Sequence, residues 1–306
     1  MKLICCFYLL FFSLSTPLLV KAQNQSAIDS TGLPGDNFSL QGALQMFQKA
    51  GSPEEFEKLI NTEDNSVNNL DLNGDGETDY VRVIDKTEKD IHAFVLQVSV
   101  SETESQDIAV IELEKTDDTT AVIQIVGDED IYGEEVIVEP DGGGDEESFI
   151  DNFESDLAHG PNADYNIVIP RIVVNVWFWP SVRFVYAPIY RPWISPWRWR
   201  HHPGWWRPWR PFAWHIWHPR HLHYHRPFVV VHTHRVVRAH AFYRPARVSS
   251  VTVRTRHATA VGNYKVTRSK TTVTGPRGNK GTRKTTTVHG PRGGKATKTT
   301  VRKRRR

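Results

Sequence analysis

Between residues 78 and 126 the chain alternates apolar and polar side chains with a period of two, a rhythm that suits strands with one buried face. Phe94, Leu96, Val98 and Val100 fall on one side of one run, and Ala109, Ile111 and Leu113 on one side of the next. The strands read as residues 78–84, 92–100, 107–114 and 119–126, with 136–138 as an added edge. Their connections, residues 86–90 and 115–118, are short and charged, as antiparallel hairpins or a meander require. Upstream, Leu40, Ala43, Leu44 and Phe47 recur at i, i+3, i+4 and i+7, and Ser52, Pro53 and Glu55 mark a helix start ahead of Phe56, Leu59 and Ile60. The spacing predicts an α+β domain over residues 38–140, with one or two short helices on one side of an antiparallel sheet.

Charge divides the chain in two. Residues 23–164 hold 6 basic and 35 acidic groups, net −29, whereas residues 165–306 hold 30 basic groups and no Asp or Glu. Fields of this kind set partner choice, screening and solubility rather than fold. The scattered carboxylates of the acidic half, Glu112 and Glu114 opposite Ile111 among them, read as a solvated face. An acidic stretch over residues 141–164, containing Gly142, Gly143 and Gly144, reads as a linker.

Residues 1–22 have the layout of a secretory signal: Lys2, then an apolar run, then small polar residues after Ala22. A retained membrane anchor is the alternative. Cys5 and Cys6, the two cysteines, both fall inside this segment, so a processed chain has no disulfide, no thiolate nucleophile and no cysteine metal ligand. Residues 23–37 read as a flexible leader. The expected location is the periplasm, the outer envelope or the extracellular space.

One cluster in the acidic half is more specific than a solvated face. Asp71-Leu72-Asn73-Gly74-Asp75-Gly76-Glu77-Thr78-Asp79 offers side-chain oxygens at loop positions 1, 3, 5 and 9, the Glu77 carbonyl at position 7, and Gly76 where the chain must turn sharply. Calcium takes 6–8 hard oxygen ligands, and this spacing lets them converge. Asp71, Asn73, Asp75, Glu77 and Asp79 are therefore the candidate calcium residues, in a structural role. Position 12 is Arg82 rather than a bidentate Glu, and strand residues follow at once. An ion-free Asp/Asn/Gly turn is the alternative. The loop resembles the calcium loops of integrin-like and FG-GAP repeats, where an aspartate-rich turn also leads into a strand.

The basic half has a different character. All ten Trp lie between Trp177 and Trp217, with Pro192, Pro196, Pro203, Pro208 and Pro211 interleaved. Such spacing argues against long helices and leaves an irregular, aromatic region over residues 165–248, with strand-like stretches at 167–179 and 181–190. Pro170, Arg171, Pro180 and Arg183 break its apolar runs, so no transmembrane span is expected in the mature chain. Trp beside Arg or His can sit at a bilayer interface, stack on sugar rings or bases, or pack on its own neighbours. His221, His223 and His225 alternate, as do His232 and His234; on strands they would present imidazoles together, with zinc, copper or nickel as the fitting metals. Residues 249–306 are rich in Thr, Lys, Arg and Gly, repeat Gly-Pro-Arg-Gly at Gly275 and Gly290, and hold too little apolar surface to offset chain entropy, so a disordered tail is expected.

No G-x-S-x-G turn, H-E-x-x-H helix or phosphate-cradling glycine loop is present. His92 and His159 have no nameable nucleophile beside them in sequence. A hydrolase outside these patterns is the enzymatic alternative. Val67-Asn68-Asn69-Leu70-Asp71-Leu72-Asn73-Gly74-Asp75-Gly76, Ser105-Gln106-Asp107-Ile108-Ala109-Val110-Ile111-Glu112 and Trp205-Trp206-Arg207-Pro208-Trp209 together resemble uncharacterised secreted proteins of Bacteroidota-type bacteria. That resemblance implies an exported protein and supplies no catalytic residues. The leading expectation is a non-enzymatic, calcium-stabilised envelope protein whose basic half binds anionic lipid or glycan; export removes nucleic acid as the default polyanion. The runner-up is an interaction protein whose own acidic and basic halves associate, within a chain or between chains.

Overall fold

The computed structural model describes residues 30–142, 173–274, 280–289 and 295–304. The expected signal, most of the acidic linker and His159 lie outside them. Two helices come first, α1 (Leu40–Lys49) and α2 (Pro53–Ile60). Ser39 caps α1 by accepting from Gly42 N at 3.0 Å, and Ser52 caps α2 by accepting from Glu55 N at 3.1 Å. Glu55 accepts from Gly51 N at 2.8 Å, one residue beyond the Ser52 N–H that the reciprocal bond of a capping box uses. Residues 30–37, expected as the end of a flexible leader, are instead built into the core. Asp36 is buried and receives Ser30 Oγ, Thr31 Oγ1 and Gly32 N at 2.5–3.0 Å, and Leu33 is 2 % exposed.

The alternating region forms β1 (Val81–Glu88), β2 (Ile91–Ser99), β3 (Ser105–Asp117) and β4 (Thr120–Gly127), followed by a single turn α3 (Glu129–Tyr132) and β5 (Val136–Pro140). All pair antiparallel in chain order. The sheet does not end there. In the basic half, after α4 (Pro180–Val185) and α5 (Trp214–His221), β6 (Phe228–Val231) pairs antiparallel with β5. One row across the six strands runs Asp85, Phe94, Ile111, Ile125, Val138, Val230.

Both faces of the sheet are covered. On one, Phe94, Leu96, Ile111 and Ile125 pack with Leu44, Phe47, Phe56 and Ile60 of α1 and α2 and with Val182 and Val185 of α4. On the other, Ala93, Val95, Val110, Val126 and Ile137 meet Val229, Val231 and Tyr243, while Ile91 meets Val236 and Ala239 of the α6 region (α6, Val237–Tyr243). This second layer corrects the solvated-face reading: Glu112 is fully buried and Glu114 is 8 % exposed, because α6 lies over them. Carboxylates tolerate such a place only with donors. Arg238 Nη1 reaches Glu114 at 2.8 Å, and His240 Nδ1 lies 2.7 Å from Glu112.

Two further expectations are corrected. The described part of 167–179 contains no strand, and residues 180–185 are helical, since Pro180 sits at the first helical position and Val182 and Val185 share the buried face. The tail expected from residue 249 begins later. Ser250 accepts from Val253 N at 3.2 Å and starts α7 (Val251–Asn263), with Val253 and Tyr264 in the main core. Beyond it, the backbone forms a separate sheet of β7 (Lys265–Thr274), β8 (Lys280–His289) and β9 (Lys295–Arg304), paired antiparallel. With so few apolar residues in these strands, the sheet is marginal by the same entropy argument that predicts disorder when the tail is free. Among the described residues no helix is long and apolar enough to cross a membrane.

Candidate functional site

The aspartate-rich loop enters β1 directly, as its residue types require. Asp71 Oδ1 accepts from Gly74 N at 2.6 Å and Asp75 N at 3.1 Å, and its Oδ2 from Gly76 N at 3.0 Å. Asn73 Oδ1 accepts from Asp75 N at 2.8 Å, and Asp75 Oδ1 from Glu77 N at 2.9 Å. Gly74 and Gly76 take φ of +73° and +84°, the left-handed region that glycine enters without strain. The Asn73 amide nitrogen donates to Asp75 Oδ2 at 2.9 Å and Asp79 Oδ1 at 3.2 Å, so the two carboxylates converge on one donor. Burial pushes the Asp79 carboxyl up to about 7, against the Leu72 N–H bond that lowers it; the charges of Asp71 and Asp75 raise it further. The donors are hard oxygens, the chemistry that fits calcium. Glu77 is exposed, and Arg256 of α7 donates to the Leu72 carbonyl at 2.5 Å.

Facing this loop is the Trp/Arg segment. It is tied down by backbone bonds at both ends: Asp85 N to Trp193 O at 2.7 Å, Ser195 N to Val83 O at 3.0 Å, and Thr78 N to Trp209 O at 2.8 Å. Asn69 exchanges two bonds with the Phe212 backbone. Glu57, 2 % exposed on α2, accepts from Tyr80 OH, Val83 N, Trp193 Nε1 and Ser195 Oγ at 2.8–3.1 Å. Trp206 packs edge-on against Tyr80, with ring centroids 5.1 Å apart, and His202 packs on Trp206 at 4.5 Å.

The result is a cleft of about 210 Å³. Asp75, Glu77 and Asp79 line it together with Trp197, Arg198, Trp199 and Arg200, and Tyr80, Arg82 and His202 are also at the lining. Arg198 and Arg200 are exposed, and Trp197 and Trp199 are half-buried. Aromatic faces and guanidinium groups beside carboxylates can hold a polar ring that carries its own anionic group. In sequence the Trp-rich segment and the acidic loop were two separate signals, about 120 residues apart; nothing local in either shows that they meet.

The histidines are rearranged. His221, His223 and His225 do not lie on a strand: His221 ends α5 and the next four residues form a 3-10 turn. Proximity instead follows helical spacing, with His221 5.4 Å from His218 and 5.9 Å from His225 between ring centroids, while exposed His223 packs on Tyr224. Burial, reinforced by His225 and His218, lowers the His221 pKa to about 3. His232 is exposed just after the end of β6. His92 is buried, with Nδ1 3.0 Å from Asp85 Oδ2, to which Tyr190 OH also donates at 2.7 Å.

His234 belongs to a different group. Among the described residues, Glu112, His234 and His240 place one ligand-capable atom each within 4.8 Å of one another. Their ring and carboxylate neighbours are close: the His234 and His240 rings are 4.0 Å apart, and His234 Nε2 lies 3.4 Å from Glu135 Oε2. Burial raises the Glu112 pKa, and the hydrogen bond to Glu112 raises that of His240. Glu112 and His240 escape sequence reasoning because they are 128 positions apart and each has an ordinary alternative as a surface residue. No protein family, curated protein or solved structure matches the chain.

Proposed function

We propose that the chain is a non-enzymatic, exported binding protein, calcium-stabilised at residues 71–79, that engages acidic glycan in the cleft between that loop and the Trp/Arg segment. The observation that carries this reading is that exposed Arg198 and Arg200, with Trp197 and Trp199, line the same cleft as Asp75, Glu77 and Asp79. The arginines supply bidentate donors for a sugar carboxylate or sulfate, and the tryptophans supply faces for the ring. Calcium bound by Asp71, Asn73, Asp75, Glu77 and Asp79 would neutralise the acidic loop and hold it in place. Anionic lipid is the competing surface, and the tail basic residues would favour either.

Retention of the full chain on immobilised acidic polysaccharide, compared with vesicles rich in anionic lipid, tests the reading. R198A/R200A is expected to lose about tenfold in polysaccharide affinity, roughly 1.4 kcal/mol, and W199A to lose it without a change in salt dependence. Equal retention by the parent and R198A/R200A would sink it, as would binding to vesicles alone. Calorimetry with calcium is expected to give a signal on the parent that D71A/D75A lacks; a silent parent removes the calcium.

The runner-up, association of the two halves, is favoured within a single chain by its own observation. Arg235, Arg238, Arg244 and Arg247 pair with Glu139, Glu114, Glu129 and Asp128 in turn, at 2.9, 2.8 and 3.2 Å for the first three. These pairs come from α6 and the residues on either side of it, and do not use Arg198 and Arg200 at the cleft.

A further inference from the structure

We infer that Glu112, His234 and His240 form a binding site for a divalent transition ion of the zinc type, clamping α6 and the end of β6 onto β3. The three residues bring two imidazoles and one carboxylate to a common point, the donor set of a zinc or cobalt centre rather than of calcium.

Two atoms show that the group is incomplete as a hydrogen-bonded cluster. Glu112 is fully buried, yet only its Oε1 has a partner, His240 Nδ1 at 2.7 Å; Oε2 is buried without any hydrogen bond. A buried carboxylate oxygen without a donor costs of the order of 1–3 kcal/mol, and more when charged. The Nδ1 of His234 is likewise buried without a partner. One bound cation would satisfy both atoms at once.

The surroundings match the same reading. Glu135 Oε2 lies 3.4 Å from His234 Nε2, so the carboxylate orients the imidazole from its outer nitrogen and leaves Nδ1 as the ligating atom. Arg244 Nη1 holds the other Glu135 oxygen at 2.8 Å. Tetrahedral coordination at about 2.0–2.1 Å separates ligand atoms by roughly 3.3 Å, so the Glu112–His240 contact has to open by about half an ångström. The proton shared by that pair leaves as the ion enters.

The test is zinc titration of the full, untagged, chelator-stripped chain by calorimetry, with thermal unfolding as a second reading. One equivalent is expected to bind and to raise the melting temperature. His234→Gln removes a ligand but keeps the Glu112–His240 bond, so it should fold; Glu112→Gln removes the carboxylate charge. Each is expected to weaken the zinc equivalent by about tenfold or more, whereas His223→Ala leaves it unchanged. Should Glu112→Gln fail to fold, His234→Gln alone decides. No zinc binding by the parent, parent-like binding by His234→Gln, or loss of binding in His223→Ala would each overturn the inference, the last two assigning the ion to other histidines.

Discussion

Glu57, Asp85, Asp107, Glu112, Asp128 and Glu139 are all buried in the acidic half, and each receives at least one donor from the basic half. Tyr190 serves Asp85, Tyr243 and Val248 N serve Asp107, Arg247 Nη2 serves Asp128 at 2.7 Å, and Arg235 serves Glu139. These donors give each carboxylate in an excess of like charge at least one bonded oxygen, with Oε2 of Glu112 left over. His221 is the opposite case, a basic group buried without a counter-charge. Its folded pKa of about 3 lies below the ordinary 6.5, so between those values the unfolded chain binds the proton more strongly. Its contribution to stability is therefore whole above pH 6.5 and is lost as pH falls, at about 1.4 kcal/mol per unit. Urea unfolding at pH 7.5 and pH 5 is expected to show the parent losing roughly 2 kcal/mol more than His221→Leu over that interval. Equal losses would refute the burial argument.

At the level of elements, the strands of the acidic half were legible because a period of two survives any packing on one face. Residues 92–100 and 136–138 predict β2 at Ile91–Ser99 and β5 at Val136–Pro140. β6 was not legible. Phe228, Val229, Val230 and Val231 are all buried and do not alternate, since the strand is covered on both faces; their β-branched and aromatic types favour a strand, but a run of four among His and Arg has no period to show it. The core contacts of α6, through Val236, Ala239 and Tyr243, were masked by the Arg and His residues between them. The alternating histidines misled for the converse reason: a two-residue period over five residues is compatible with a helical turn. Of the site, the oxygen-rich loop was readable from its spacing alone, but the cleft and the Glu112 group arise from contacts between distant segments. Hydrogen exchange should separate the two sheets. Amides of β2, β3 and β4 are expected to exchange only on global unfolding, those of β6 nearly as slowly, and those of β7, β8 and β9 orders of magnitude faster. Fast exchange in β6 would mean that the sheet is complete without it.

For the whole molecule, the charge partition becomes a division of labour within one fold. A chain truncated after residue 142 keeps five strands but loses β6, the α6 cover and every donor named above. It is expected to lack the cooperative unfolding transition of the full chain, read by circular dichroism; a sharp two-state transition would show that the acidic half stands alone. The contacts that close the structure span long stretches of chain: Asp36 O to Trp217 Nε1 is 181 residues, and Leu72 O to Arg256 Nη1 is 184. Loops of that length must close before their contacts repay the entropy, which slows folding. A chain emerging from its N-terminus onward thus holds several of its buried carboxylates without their distant donors until Arg247 and Val248 have appeared. Commitment to the native state is consequently a late event in synthesis, and a threading machine that needs unfolded polypeptide would have the longest interval in which to take it.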